Sequence, residues 1–180
     1  MTELVSGRRT LLQRLLGGVM AGAGLSGLSR TAAAQAAPAP ATLLNIGLCV
    51  SDLEKSLQFY TQVFGFEPDA EPTRLSGAPL EALLETEKLD LSIRFLSKQG
   101  IRLELLHFAS PKAAGGGPRK PLATLGWTHL AFKVTNVKAI MDAAKHMGGQ
   151  VLENTKLGKG DVIQAIFILD PDGNRIELQA

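Results

Sequence analysis

Two carboxylates, one imidazole and one amide stand at matched places in two stretches of this chain: Asn45 and Glu104 in the first, His129 and Glu177 in the second. The glutamates sit in near-identical strings, Arg102-Leu103-Glu104 and Arg175-Ile176-Glu177. If each string is a strand, Leu103, Leu105, Ile176 and Leu178 cover a helix and the glutamates point the other way. Period two also places Asn45 and His129 first on the same face of two opening strands. A carboxylate on an inner sheet face is costly unless it is paired or holds a cation, and a divalent metal would remove that cost. Asn45, Glu104, His129 and Glu177 offer three oxygens and one nitrogen, a shell for Zn, Ni, Co, Mn or Fe with positions left for water or substrate. The competing arrangements pair Arg102 and Arg175 with the glutamates, or shift both strands by one residue.

These residues need elements to hold them, and the sequence supplies the same order twice. The first unit opens with a strand, Leu43 to Val50, followed by a helix with a Ser51/Glu54 capping box and an apolar face of Leu53, Leu57, Tyr60 and Phe64, stopped by Gly65. A short strand at Leu80 to Leu84, then Asp90 to Ser97, a turn at Lys98-Gln99-Gly100, and Ile101 to Phe108 complete it. The second unit repeats with a strand from His129 to Val134 and a helix from Val137 to Met147 that carries Val137, Ile140, Met141 and Ala144 on one face. Gln150 to Glu153, Val162 to Leu169 and Arg175 to Gln179 follow as strands, the last two joined by Asp170-Pro171-Asp172-Gly173-Asn174. The fold class is therefore α+β: two βαβββ modules forming a curved mixed sheet around a cleft, helices outside. The organisation predicted is a leader over 1–36, a linker over 37–42 and a domain over 43–180, with modules at 43–108 and 127–180 and a glycine-rich loop at 109–126.

Composition narrows the function classes. With 45% hydrophobic and 20% charged residues in 180, the chain suits a globular domain, neither disordered nor polytopic. Its one cysteine, Cys49, excludes an intramolecular disulfide and any Cys-rich metal site. The net charge of +2 is owed to the first 36 residues, whose four arginines face Glu3 alone; without them fifteen basic residues meet sixteen acidic ones. Nucleic acid is thereby disfavoured as a partner.

Gly7-Arg8-Arg9-Thr10-Leu11-Leu12 resembles a twin-arginine export signal, followed by an uncharged stretch from Leu15 to Ser29 and an Ala34-Gln35-Ala36 cleavage pattern. The stretch is too short and glycine-rich to span a bilayer stably, so a periplasmic bacterial location is expected, with no stable membrane span. Gly22 to Gly27 formally matches a dinucleotide motif but has no strand before it and no βαβ unit around it.

The stretch from Asn45 through Tyr60 to Gly65-Phe66, Arg102 to Leu105, His129 to Phe132, and Asp170 to Leu178 together resemble the vicinal oxygen chelate superfamily. That superfamily includes glyoxalase I, methylmalonyl-CoA epimerase, extradiol dioxygenases, and fosfomycin and bleomycin resistance proteins. The resemblance runs from Leu43 to the C-terminus and implies metal ligands at Asn45, Glu104, His129 and Glu177. Asn45 departs from the usual histidine; some glyoxalase I members carry Gln there, one methylene longer. A dioxygenase needs two histidines and a carboxylate, which disfavours that branch. The glyoxalase I and epimerase branches are nearest, implying a lyase or isomerase in which a divalent metal ion polarises a carbonyl and a carboxylate moves the neighbouring proton. Glu177 is the expected base and Glu104 the alternative. A metal-free binding or sequestering protein, similar to bleomycin resistance members, is the competing reading, and a homodimer is within the family's range.

Other polar residues carry plainer readings. His107 reads as a strand cap, His146 as surface, Trp127 as packing or an aromatic wall, Cys49 as a small buried hydrophobe, and Lys112, Arg119 and Lys120 as a solvated loop.

Overall fold

The computed structural model describes residues 41–115 and 119–180; the leader expectation lies outside the described residues. Thr42–Ala180 form one compact unit. In the first half β1 (Ile46–Cys49) leads to α1 (Leu53–Phe64), β2 (Glu67–Pro68), β3 (Thr73–Leu75), α2 (Ala78–Leu83), β4 (Asp90–Lys98) and β5 (Ile101–Ser110). In the second, β6 (Leu130–Lys133) leads to α3 (Val137–His146), β7 (Gln150–Val151), a 3-10 turn (Glu153–Thr155), β8 (Leu157–Lys159), β9 (Val162–Leu169) and β10 (Arg175–Gln179).

Each half is a mixed five-stranded sheet. The orders are β1-β5-β4-β2 with β3 also on β4, and β6-β10-β9-β7 with β8 also on β9. In both, the opening strand runs parallel to the closing one. That requires a crossover, which α1 and α3 provide. Two mixed sheets of five strands with few helices are consistent with the two βαβββ modules expected, and β1 and β6 are the outer strands of their ladders.

Local chemistry sets the helix ends. Asp52, rather than Ser51, caps α1 by accepting from the Lys55 amide at 3.0 Å, and Glu54 instead takes a bond from Gln58. Gly65 ends α1 at φ 66°, a left-handed position that favours glycine. Asn136 caps α3 through the Ala139 amide. The expected strand at Leu80 to Leu84 is α2: Pro79 sits in its first turn and Leu80 packs on Leu89, Leu91 and Ile93. A short apolar run does not distinguish strand from helix, and here the proline start decides.

One core takes in both modules. Phe59, Tyr60, Val63 and Phe64 of α1 pack with Leu103 and Leu105, with Met141 and Ala144 of α3, and with Ile166, Ile168, Ile176 and Leu178. Burying side chains of this size contributes roughly 1.5 to 3 kcal/mol each. The apolar face of α1 is wider than its predicted stripe, because the helix meets its own sheet and α3. At the junction Phe64 and Phe132 stack at 4.3 Å. Gly149 comes so close to Phe59 and the Leu169 carbonyl that a Cβ there would lie 2.8 and 2.5 Å from them. Tyr60 donates to buried Asp170 at 2.8 Å, and the Asp172 carboxylate accepts from the Ser51 amide and Ser56 hydroxyl. Among the described residues no helix is long and apolar enough to cross a membrane.

Candidate metal centre

The ladders place the predicted ligands in two equivalent pairs. Glu104 lies opposite Gly47 of β1 and Phe95 of β4; Glu177 lies opposite Ala131 of β6 and Phe167 of β9. Asn45 and His129 precede Gly47 and Ala131 by two residues, so each shares a sheet face with its glutamate. The opposite faces carry Leu103, Leu105, Ile176 and Leu178 into the core, which excludes the one-residue shift.

In the second pair the geometry is closed. His129 Nε2 lies 3.2 Å from Glu177 Oε2, with both side chains about one quarter exposed, at 28% and 22%. Thr128 Oγ1 meets the other ring nitrogen at 3.0 Å, and the Phe167 ring stands edge-on at 5.2 Å. These contacts fix the imidazole plane with one nitrogen toward the carboxylate.

The first pair lacks a histidine. Glu104 is half-buried, and its carboxyl is raised above the ordinary glutamate value by burial, a shift that the nearby Arg102 cation opposes. Arg102 does not bond it. Its guanidinium lies 3.8 Å above the Phe95 ring and donates to Asp69 at 2.7 Å. Arg175 likewise turns to the Lys120 carbonyl. The arrangement in which the arginines neutralise the glutamates is thus not the one adopted.

A groove of about 320 Å³ between the starts of β1 and β6 is lined by both Asn45 and His129, with Leu43, Trp127 and Arg175. Trp127 is 92% exposed, a wall rather than core. Glu104 stands apart, and among the described residues no three His, Cys, Asp or Glu side chains are grouped closely enough to hold a metal ion. The structure therefore puts Asn45 and His129 on the lining of one groove and Glu177 against His129, and leaves Glu104 on Asn45's module but outside that groove. His107 bonds the Val50 carbonyl at 3.3 Å and His146 the Asp142 carbonyl, away from the site. Cys49, expected to be buried, is exposed on β1 because its sheet face is uncovered there. Phe95, Phe167, Thr128 and Asp69 were not singled out from the sequence. Strand alternation was a sufficient signal for the two phenylalanines, which occupy the ladder places opposite the glutamates.

Residues 42–178 match the family model of the Glyoxalase/Bleomycin resistance protein/Dioxygenase superfamily. The chain belongs to this superfamily. A probable lactoylglutathione lyase of Vibrio parahaemolyticus is 30% identical over 140 residues, covering 76% of this chain and 88% of that protein. Among solved structures, a glyoxalase family protein from Bacillus cereus superposes with a TM-score of 0.65 at 18% identity, over 79% of this chain and 97% of the other. The fosfomycin resistance protein FosX from Listeria monocytogenes, complexed with manganese(II) and sulfate, superposes at 0.50 with 19% identity, over 79% and 93%. These likenesses establish the glyoxalase-like fold of the superfamily's paired modules.

Proposed function

We propose that this glyoxalase-like chain is a metal-dependent lyase or isomerase that moves a proton on the carbon beside a carbonyl of a small substrate. The observation that carries the reading is the duplicated glutamate: Glu104 and Glu177 occupy the same ladder position, flanked by Phe95 and Phe167, and neither is neutralised by an arginine. The donors suit a divalent cation, with His129 and Glu177 as one half of a shell and Asn45 and Glu104 as the other. A manganese(II) complex of the structurally similar FosX is consistent with that chemistry. When bound, the cation would polarise the substrate's carbonyl oxygen and make the neighbouring C–H acidic.

The chain's own residues supply the rest. Glu177, oriented by His129, takes the proton from the carbon, and Glu104, held in a less polar setting, is positioned to return it on the adjacent carbon or opposite face. Phe95 and Phe167 limit water around the two carboxylates.

A second copy of the chain completes the shell in this reading. Gly47, Cys49, Ala131 and Lys133 leave both free sheet faces exposed, and a two-fold axis would set Asn45 and Glu104 of one chain against the His129–Glu177 pair of another, twice. Mixing inactive Glu104→Gln and His129→Ala chains should then restore about a quarter of wild-type activity, since half the dimers would hold one intact site. No recovery after verified subunit exchange would refute sharing. Elemental analysis of protein purified without chelators tests the metal: roughly one transition-metal ion per chain is expected, lost in His129→Ala. Well-folded protein without metal would favour the second reading, a metal-free binding protein, to which Asn45 in the place matching His129 lends support. Thiol conjugates of 2-oxoaldehydes and acyl-CoA epimers are the substrates to screen. Export through the twin-arginine leader is also proposed; a reporter fused to residues 1–36 should lose export when Arg8 and Arg9 become lysine.

A further inference from the structure

The two segments that lead into the opening strands carry side chains that a folded domain normally hides. Leu43 and Leu44, ahead of β1, are 79% and 66% exposed. Ahead of β6, Leu122 is exposed, Trp127 is 92% exposed and Leu125 is wholly so. Leu43 and Trp127 line the same groove, which sets the two segments side by side. Large apolar side chains gathered in this way mark a contact surface, whereas an exposed leucine on its own would not. The charge around them has one sign. From Leu105 to Met141 the sequence contains no aspartate or glutamate, while Lys112, Arg119 and Lys120 stand in the loop that runs into the patch. All three are exposed, and among the described residues none of them joins an ion pair. The Asp172 carboxylate shares a small groove with Arg119, Lys120 and Arg175, but it is committed to the Ser51 amide and the Ser56 hydroxyl. Arg175 anchors the base of the loop by donating to the Lys120 carbonyl, an anchor that does not use the lysine side chain.

Leucine and tryptophan at the tip of a loop, with arginine and lysine behind them, suit the boundary between acyl chains and water. An indole has an apolar body and one N–H, and the cations are matched by lipid phosphates. We propose that this loop and the Leu43–Leu44 segment dock the protein on an anionic phospholipid surface, with Leu125 and Trp127 entering between the headgroups and Arg119 and Lys120 meeting the phosphates. The protein then lies on the bilayer without crossing it. A second copy that met this patch with its own would set the same cations against each other. The sheet faces proposed above for a second copy lie in β1 and β6, outside both segments. The docking is also independent of the metal reading, since it uses none of Asn45, Glu104, His129 or Glu177.

Trp127 is the sole tryptophan of the chain, so its fluorescence reports on this loop alone, whatever the leader does. The full chain is mixed with vesicles of phosphatidylglycerol and phosphatidylcholine in equal parts, and separately with vesicles of phosphatidylcholine. On the anionic vesicles Trp127 emission should move to the blue and be quenched by bromine-labelled acyl chains, with affinity at least about tenfold above that for the neutral ones. An Arg119→Gln, Lys120→Gln double variant should lower the affinity read through Trp127 by about tenfold on anionic vesicles and leave it unchanged on neutral ones. Leu125→Ser should weaken both by about tenfold. If the double variant fails to fold, Leu125→Ser, at a wholly exposed position, decides by its loss of quenching. Vesicle binding without quenching of Trp127 would put another part of the chain on the lipid and overturn the proposal. Equal affinity for the two kinds of vesicle, variants that bind as the wild type does, or no binding would overturn it too. So would a blue shift that grows with protein concentration in the absence of lipid, which would place a second copy on the patch.

Discussion

Around Glu104 the free face of the first sheet carries Phe95, Ile93 and Leu106, with α2 packed against the same cluster. Around Glu177 the corresponding places of the second sheet hold Phe167, Ala165 and Gln179, with Lys133 beside Gln179. Cys49 occupies the place equivalent to that of Lys133, and Asn45 the place equivalent to that of His129. The ladders are equivalent while the walls are not: one half is apolar and partly covered, the other polar and open. The division separates shape from charge. In the proposed reaction the first module would offer a surface for the apolar part of a substrate, and the second would do the proton chemistry with its imidazole–carboxylate pair.

The sharpest way to break this division is to neutralise each glutamate in turn. Glu177→Gln should lower turnover by about 10³ to 10⁴-fold with little change in melting temperature, and a smaller loss in Glu104→Gln, still about 10²-fold, would keep the chemical role in the second module. Equal losses would make the carboxylates partners rather than base and helper. Next in size is the junction: Phe132→Ala removes the stack with Phe64 and should cost about 3 kcal/mol in denaturant unfolding. A loss under about 1 kcal/mol would mean the modules hold together chiefly through the helices. Asn45→His would make the two pairs alike, and metal affinity measured by competition with a chelator should rise by about tenfold if Asn45 is what limits the first half.

The smallest effect concerns charge near Glu104. Burial raises its carboxyl in the folded protein while Arg102 pulls it down, so Arg102→Ala should raise it further in a carbon-13 titration of metal-free protein. A carboxyl raised in the folded state contributes stability below the unfolded value that is lost as pH rises through the folded value. The variant should therefore lose more stability than the wild type between acid and neutral pH; an equal loss would show that Arg102 does not govern Glu104.

Much of this was legible in the residues. Alternation in Arg102-Leu103-Glu104-Leu105 and in Arg175-Ile176-Glu177-Leu178 named the buried and free faces, and the strands Val162–Leu169 and Arg175–Gln179 have the predicted bounds. The Asp170–Asn174 turn was equally plain, since its residues are the ones a tight turn requires. What stayed hidden depends on contacts between distant parts. Alternation tells which face of a strand is free but not what meets it, so the separation of Glu104 from His129 and Glu177 could not be read. The strands β2, β3 and β8 are two or three residues long and carry too few positions for a period to register. Tyr60 was read as part of an apolar face; its hydroxyl signalled a buried partner, and that partner, Asp170, is 110 residues away.

That distance bears on how the protein comes into being. A ribosome delivers α1 long before Asp170, so the nascent first half has the apolar side of α1 facing α3 without cover, and Tyr60 without its acceptor, until nearly the whole chain has been made. The first module is thus expected to wait for the second, with chaperone protection during synthesis, and translation arrested before Asp170 should leave a chain that proteases cut within α1.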